Sequence, residues 1–314
     1  MILTKCNVKE IDLDQILFSK IKERKLNEVL LIVPTNRKIR QLKRELISAS
    51  PNGVTVGINL DTIGSYSTRI LSGANRQNSL VSEEAAIVLL KQCFQEIELN
   101  YFSNYKTTVP FGTLERVKNV ISEYKRNGIT SSMLMEESQN LSGTERYKAQ
   151  DISNIYKRYQ EKFADLGVSE IGDVYWELNN LSETEFIDRF INEYPNLKLI
   201  IINGFDEFSY PEIKIINSSA LVDDVELYID FDYANYNPAI FSHLDKCYSK
   251  LLEIGFKIIT DRSVGVFPKF INDVRKNLFK SNRAAKSVQF KSQITEITAF
   301  TRENEIELIA KAIK

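Results

Sequence analysis

The chain has 314 residues, 43% of them apolar, with 41 basic and 42 acidic side chains and a formal net charge of −1. Such a composition suits one large core or two modest ones. The balanced charge excludes the overall positive field of a strong duplex binder, so any nucleic-acid contact must come from a local patch. Three scattered cysteines and a single histidine, His243, exclude a disulfide framework and a multi-histidine metal centre.

No apolar stretch approaches the roughly 20 residues that span a bilayer, and residues 1–10 lack the basic segment and apolar core of a signal peptide. No membrane association is expected, and a cytoplasmic location follows.

The spacing of Ile11, Leu13, Ile16, Leu17 and Ile21 predicts a helix over 11–25. Residues 28–33 form a continuous apolar run, read as a strand, and Pro34 ends it. Thr35 or Asn36 can cap the next helix, 37–49, which buries Ile39, Leu42, Leu46 and Ile47. Its other face carries Arg37, Lys38, Arg40, Lys43 and Arg44. Five cations beside a strand exit and a helix N-terminus suit a phosphate backbone, because free backbone N–H groups add to the charge. A solvated basic face would have the same pattern.

After the turn at Pro51-Asn52-Gly53, residues 54–58 are expected as a short strand. A helix opens at Asp61-Thr62, with Ile63, Tyr66, Ile70 and Leu71 at helical spacing. Thr62 and Ser65 put hydroxyls in its first turn, able to donate to a phosphate, or to serve as a cap.

From Ser82 to about Asn180 the pattern is helical, with breaks at Gly128 and Gly167. The stripe Tyr156, Tyr159 and Phe163 fits a core better than a base-stacking platform. Flanked by strand–helix alternation on both sides, this block is expected to be an all-helical insertion, 82–194, into an α/β domain formed by 1–81 and 195–293.

Strand signals resume at Leu197. Leu199 to Ile202 lack the alternation of a half-exposed strand, so they fit a strand buried on both faces of a parallel sheet, whose C-terminal end is where ligands sit. Asp206 and Glu207 follow. An acidic pair there can hold Mg²⁺ in nucleoside triphosphatases, with Asp206 as the candidate metal ligand, or can simply be solvated. Pro211-Glu212 opens a helix, 225–231 is a strand, 240–254 a helix, 256–259 a short strand and 280–287 a surface loop. Residues 294–300 alternate as a strand, and Thr301 caps a final helix that stops without a glycine or proline. The chain is therefore expected to be a piece of a longer protein, with 294–314 beginning a second, truncated motor-like domain.

A phosphate-binding loop needs glycines followed by Gly-Lys-Ser/Thr. The first glycine here is Gly53, and no glycine is followed by lysine. Delivery of Mg-ATP to Asp206 and Glu207 by such a cradle is excluded. The Glu-x-Lys pairs, at Glu23, Glu123 and Glu212, all fall on predicted helices and do not make a nuclease site. There is no Gly-x-Ser-x-Gly elbow.

In order, Leu31-Ile-Val-Pro-Thr-Asn-Arg, Thr62-Ile-Gly-Ser-Tyr, the helical block, Ile201-Ile-Asn-Gly-Phe-Asp-Glu-Phe and Thr301-Arg-Glu-Asn-Glu-Ile-Glu-Leu-Ile-Ala form a series. The series resembles the N-terminal helicase-like region of AddB/RexB-type subunits of bacterial helicase-nucleases, relatives of UvrD-like superfamily 1 helicases. The resemblance implies a RecA-like parallel sheet with an inserted helical subdomain. It implies contact with single-stranded or unwinding DNA through Thr35, Asn36 and Arg37, and through Thr62 and Ser65, to which the basic face of the 37–49 helix adds Arg40. Asp206 and Glu207 match the acidic pair of the ATPase motif. The implied partner is a motor helicase-nuclease subunit of the AddA type. Because the phosphate loop is missing, the expected function is a non-motor DNA-binding module of a helicase-nuclease in double-strand break repair and recombination. An active ATP-dependent helicase domain, or a scaffold that docks a motor subunit, are the alternatives.

Overall fold

The computed structural model describes residues 1–8, 11–50, 53–54, 57–72, 79–234, 236–260, 268–280 and 294–313. The elements run β1 (Ile2–Thr4), α1 (Leu13–Lys22), β2 (Val29–Ile32), α2 (Asn36–Ala49), β3 (Asn59–Asp61), α3 (Ile63–Ser72), β4 (Ser79–Leu80), α4 (Glu83–Glu96), α5 (Phe111–Arg126), α6 (Ser131–Ser138), α7 (Gly143–Leu166), β5 (Val168–Ser169), α8 (Ile171–Asn179), α9 (Glu183–Glu193), β6 (Leu199–Asn203), α10 (Tyr210–Ser219), β7 (Glu226–Asp230), α11 (Pro238–Phe241), α12 (Asp245–Glu253), β8 (Lys257–Thr260), α13 (Lys269–Asn277) and α14 (Arg302–Ala312). They divide into two units, one of residues 1–233 and 244–261, the other of 234–243 and 262–314. No helix among the described residues is long and apolar enough to cross a membrane.

In the first unit a six-stranded sheet has the order β3-β2-β6-β7-β1-β8. Strands β3, β2, β6 and β7 are mutually parallel, and β1 runs antiparallel to both β7 and β8. Sequence predicts β6 as a strand buried on both faces, and it is: Leu199 to Ile202 are all buried between β2 and β7. On one face Val29, Leu31, Leu199, Ile201 and Tyr228 pack with Leu13 and Ile21 of α1 and Leu46 of α2. On the other, α3 and α10 are tied by the buried hydrogen bond between Tyr66 Oη and Ser219 Oγ, 2.6 Å.

Helix starts follow the capping rules. Thr35 accepts from the Lys38 N–H, Ser82 from Ala85, and Ser209 with Glu212 forms a capping box ahead of Pro211. Helices α4, α5 and α7 enclose their own core around Phe94, Ile121, Ile155 and Tyr159. At Gly167 the backbone ends α7 in the left-handed region, φ 62°. Helices α8 and α9 pack back on α3 and α10: Tyr66 packs in one cluster with Phe190 and Tyr194, and Asn179 donates to the Pro211 carbonyl at 3.1 Å.

Two strand expectations fail, and three short strands go unread. The strand predicted at 54–58 is instead Asn59–Asp61, and residues 55–56 lie outside the described residues. Pairing with β2, not hydropathy, fixes that position: Leu30, Leu31 and Ile32 face Asn59, Leu60 and Asp61. Residues 294–300 are not a strand; Ile294 and Phe300 are exposed, and alternation without a sheet edge to pair with makes no ladder. The two-residue strands β4 and β5 and the N-terminal β1 have no signal strong enough to read. The loop expected at 280–287 falls, beyond Lys280, outside the described residues.

The second unit comprises α11, α13 and α14. Buried Asn237 stands at the N-cap position of α11 and its Nδ2 donates to the carbonyls of Arg275 and Leu278, 2.9 and 3.0 Å away. His243 is exposed.

Candidate nucleic-acid interface

From β2 the chain crosses over through α2 to β3, on one side. From β6 it crosses through α10 to β7, on the other. Neighbouring parallel strands whose connections diverge in this way open a crevice at their C-terminal ends, the place where open α/β sheets bind ligands. The register puts Ile32 beside both Asp61 and Ile202. The β2–α2, β3–α3 and β6–α10 turns therefore share one edge, and all of the site residues expected from sequence lie on or next to it.

Around β2 the crevice is cationic. Thr35, Asn36, Arg37 and Arg40 are exposed, as are Lys43 and Arg44, and Lys38 is half-buried. None of the five cations of α2 makes an ion pair among the described residues. Burial of Leu46, with Ile39, Leu42 and Ile47 partly covered, orients the helix so that this face is outward. Thr35 Oγ1 is spent on the Lys38 N–H at 3.2 Å, which leaves Asn36 and Arg37 as the first-turn groups directed to solvent.

Around β3 the hydroxyls are already used. Thr62 and Ser65 cap each other, with Thr62 N–H donating to Ser65 Oγ at 2.9 Å and Ser65 N–H to Thr62 Oγ1 at 3.1 Å. Ser65 Oγ also donates to Asp61 Oδ1 at 2.8 Å. Asp61, the last residue of β3, is a buried carboxylate that sequence alone does not single out. Tyr194 Oη lies 3.3 Å from its Oδ2 and Arg69 Nη1 3.5 Å. Burial raises its pKa above the ordinary carboxylate range, opposed by the Ser65 hydrogen bond, the Arg69 charge and Tyr194. The available signal is an aspartate directly before a Thr-x-x-Ser helix start.

After β6 the chain turns at Gly204, whose φ of 82° lies in the left-handed region that favours glycine; a Cβ there would make only ordinary contact with Pro34 Cδ, 3.7 Å away. Phe205 packs against buried Phe208, and Asp206 and Glu207 are exposed between them. Asn203 Nδ2 donates to Asp230 Oδ2, 2.9 Å away, which ties the ends of β6 and β7. No group of three or more metal-ligating side chains occurs among the described residues.

The residues present do not fit a magnesium nucleotide. Strand β1 runs away from the C-terminal edge: Ile2 pairs with Asp230 at the end of β7, Thr4 with Tyr228 in its middle and with Lys257 at the start of β8. Lys5, which follows, bonds Asn217 and lies over the Phe256 ring. The loop after β1 therefore cannot curl over the crevice, and the β2–α2 turn that does border it, Val33-Pro34-Thr35, has no glycine to wrap a phosphate.

The family described as ADDB, N-terminal matches residues 10–296. The chain belongs to that family. Over 122 residues the ADDB N-terminal chain is 25% identical to the B subunit of the ATP-dependent helicase/deoxyribonuclease of Listeria monocytogenes serotype 4a (strain HCC23). The aligned stretch is 39% of this chain and 10% of that relative. The resemblance drawn from the motif series is thus borne out at the level of the family.

Proposed function

We propose that this ADDB N-terminal chain is a non-motor, helicase-like DNA-binding module of a helicase-nuclease that acts in the cytoplasm in double-strand break repair and recombination. The observation that carries it is the cationic face of α2 at the sheet's switch point, without ion pairs among the described residues, in a crevice that lacks a nucleotide cradle. Five cations and the first-turn N–H groups of α2 suit a run of phosphates. Thr35, Asn36, Arg37 and Arg40 form the contact, and Thr62 and Ser65 hold the adjoining β3–α3 turn in place. In this proposal the sheet is RecA-like and corresponds to 1–81 and 195–293. Residues 82–194 are its helical insertion, and 294–314 lead into a second motor-like domain.

The partner in this proposal is a motor protein of the AddA type, in line with the relative's name as one subunit of a helicase/deoxyribonuclease. Asp206 and Glu207 are then remnants of an acidic pair and carry no catalysis. A labelled oligothymidine titrated with the chain should bind without nucleotide, at an affinity unchanged by Mg-ATP and by Asp206→Ala. ATP turnover that Asp206→Ala abolishes would replace the proposal with an active motor. Absence of DNA binding, with capture of a motor subunit retained, would replace it with a scaffold.

A further inference from the structure

The helical block of the first unit contains a cleft of about 400 Å³, a size ordinary for binding sites. Its walls include Ile129 after α5, Phe163 and Ala164 at the end of α7, and Asp173, Trp176 and Glu177 of α8. The last three are spaced i, i+3 and i+4, so one helical face presents an indole between two carboxylates. Trp176 is the chain's only tryptophan and is 60% exposed.

The charge of this lining is the reverse of the α2 face. Two carboxylates, Asp173 in the lining and Glu170 beside it, share one ammonium, Lys125. That ammonium is spent: its side chain is 2% exposed, lies over the Phe163 ring at 4.5 Å, and pairs with Asp173 at 2.8 Å and Glu170 at 3.2 Å. Among the described residues, the hydrogen bonds that Asp173 accepts, from Lys125 Nζ and from the Glu170 N–H, both fall on Oδ2. Its Oδ1 is left on a side chain 26% exposed. A phosphodiester would be repelled here, whereas a cation would find an aromatic face and a carboxylate oxygen together.

We propose that this cleft receives an arginine or lysine side chain from a basic segment of a protein partner, with the cation on the Trp176 face and an N–H group on Asp173 Oδ1. It shares no residue with the DNA surface, so either can fail without the other.

The whole chain should be titrated with a hexapeptide containing two arginines, read by Trp176 fluorescence and, for tryptophan variants, by calorimetry. Saturable binding is expected, weakened about three- to thirtyfold by Trp176→Ala, the range of a partly desolvated cation on an aromatic face. Trp176→Phe keeps an aromatic face and should recover most of that loss. The pair Glu45→Gln/Asp188→Asn removes two exposed carboxylates elsewhere and should leave affinity within twofold. A response that never saturates, equal weakening by the control pair, association of a second copy of the chain through this cleft, or saturable quenching of Trp176 by oligothymidine would each overturn the proposal.

Discussion

If the α2 face grips phosphates, neutralising part of it must change how affinity depends on salt, and by a computable amount. Each phosphate contact on a single strand releases condensed counterion, contributing about −0.7 to the slope of log affinity against log salt. With all five cations of α2 engaged, that slope is about −3.5, so raising salt from about 50 to about 200 mM lowers affinity about 130-fold. Replacing Arg37 and Arg40 by glutamine leaves three contacts, a slope of about −2.1 and a loss of about 18-fold over the same range. Both arginines are exposed at the helix start, without ion pairs among the described residues, so their removal should cost little in folding. Fluorescence anisotropy of a labelled oligothymidine across four salt concentrations measures both slopes. An unchanged slope would show that the phosphates lie elsewhere, even if affinity fell.

Other outcomes test how the surface is supported. Asp151 is fully buried and accepts the backbone N–H groups of Asn100, Tyr101 and Phe102 at 3.1, 2.8 and 3.0 Å, so Asp151→Asn must turn an amide N–H₂ toward a donor. About 2–4 kcal/mol should be lost in urea unfolding. Lys125→Met leaves the carboxylates of Glu170 and Asp173 without their cation and should cost about 3–5 kcal/mol, read the same way. For Asp61 the folded pKa lies above the unfolded one, chiefly through burial, so its favourable share is complete below the unfolded pKa and is lost as pH rises through the folded value. Asp61→Asn does not titrate; its stability relative to the parent should therefore climb over that window and then level off. A difference that is flat with pH would remove the buried-carboxylate assignment.

Much of the positioning was legible because it is local. An unbroken apolar run at 199–202, three of its four residues β-branched, fits a strand buried on both sides, and Pro211-Glu212 marks a helix start. Thr62 carries its capping signal in the sequence; that Ser65 returns the bond, and thus occupies both hydroxyls, depends on the turn's geometry. What was not legible is long-range. Strand β1 is three residues long, and its place depends on a partner over two hundred residues away. Asp61 becomes a buried carboxylate only because Tyr194 of the distant α9 end closes over it. The Trp176 cleft is assembled from three separate helices, and helical periodicity says nothing of how they splay.

The direction of β1 separates the fold from the activity it resembles. A phosphate cradle must leave a parallel strand at the edge where the acids lie, so that backbone N–H groups and a helix N-terminus meet the same phosphates. Here the acids are at that edge, after β6, but the strand beside β7 runs the other way and delivers Lys5 to the far side. Restoring Gly-Lys-Ser/Thr after Thr4 would therefore place the cradle a strand's length from Asp206, with the buried sheet between them. By contrast, the α2 N-terminus is at the acidic edge already, and it carries arginine, not glycine. A glycine-poor, arginine-rich turn cannot enclose a nucleotide, yet it can lie along a chain of phosphates whose successive charges are spaced to meet successive side chains.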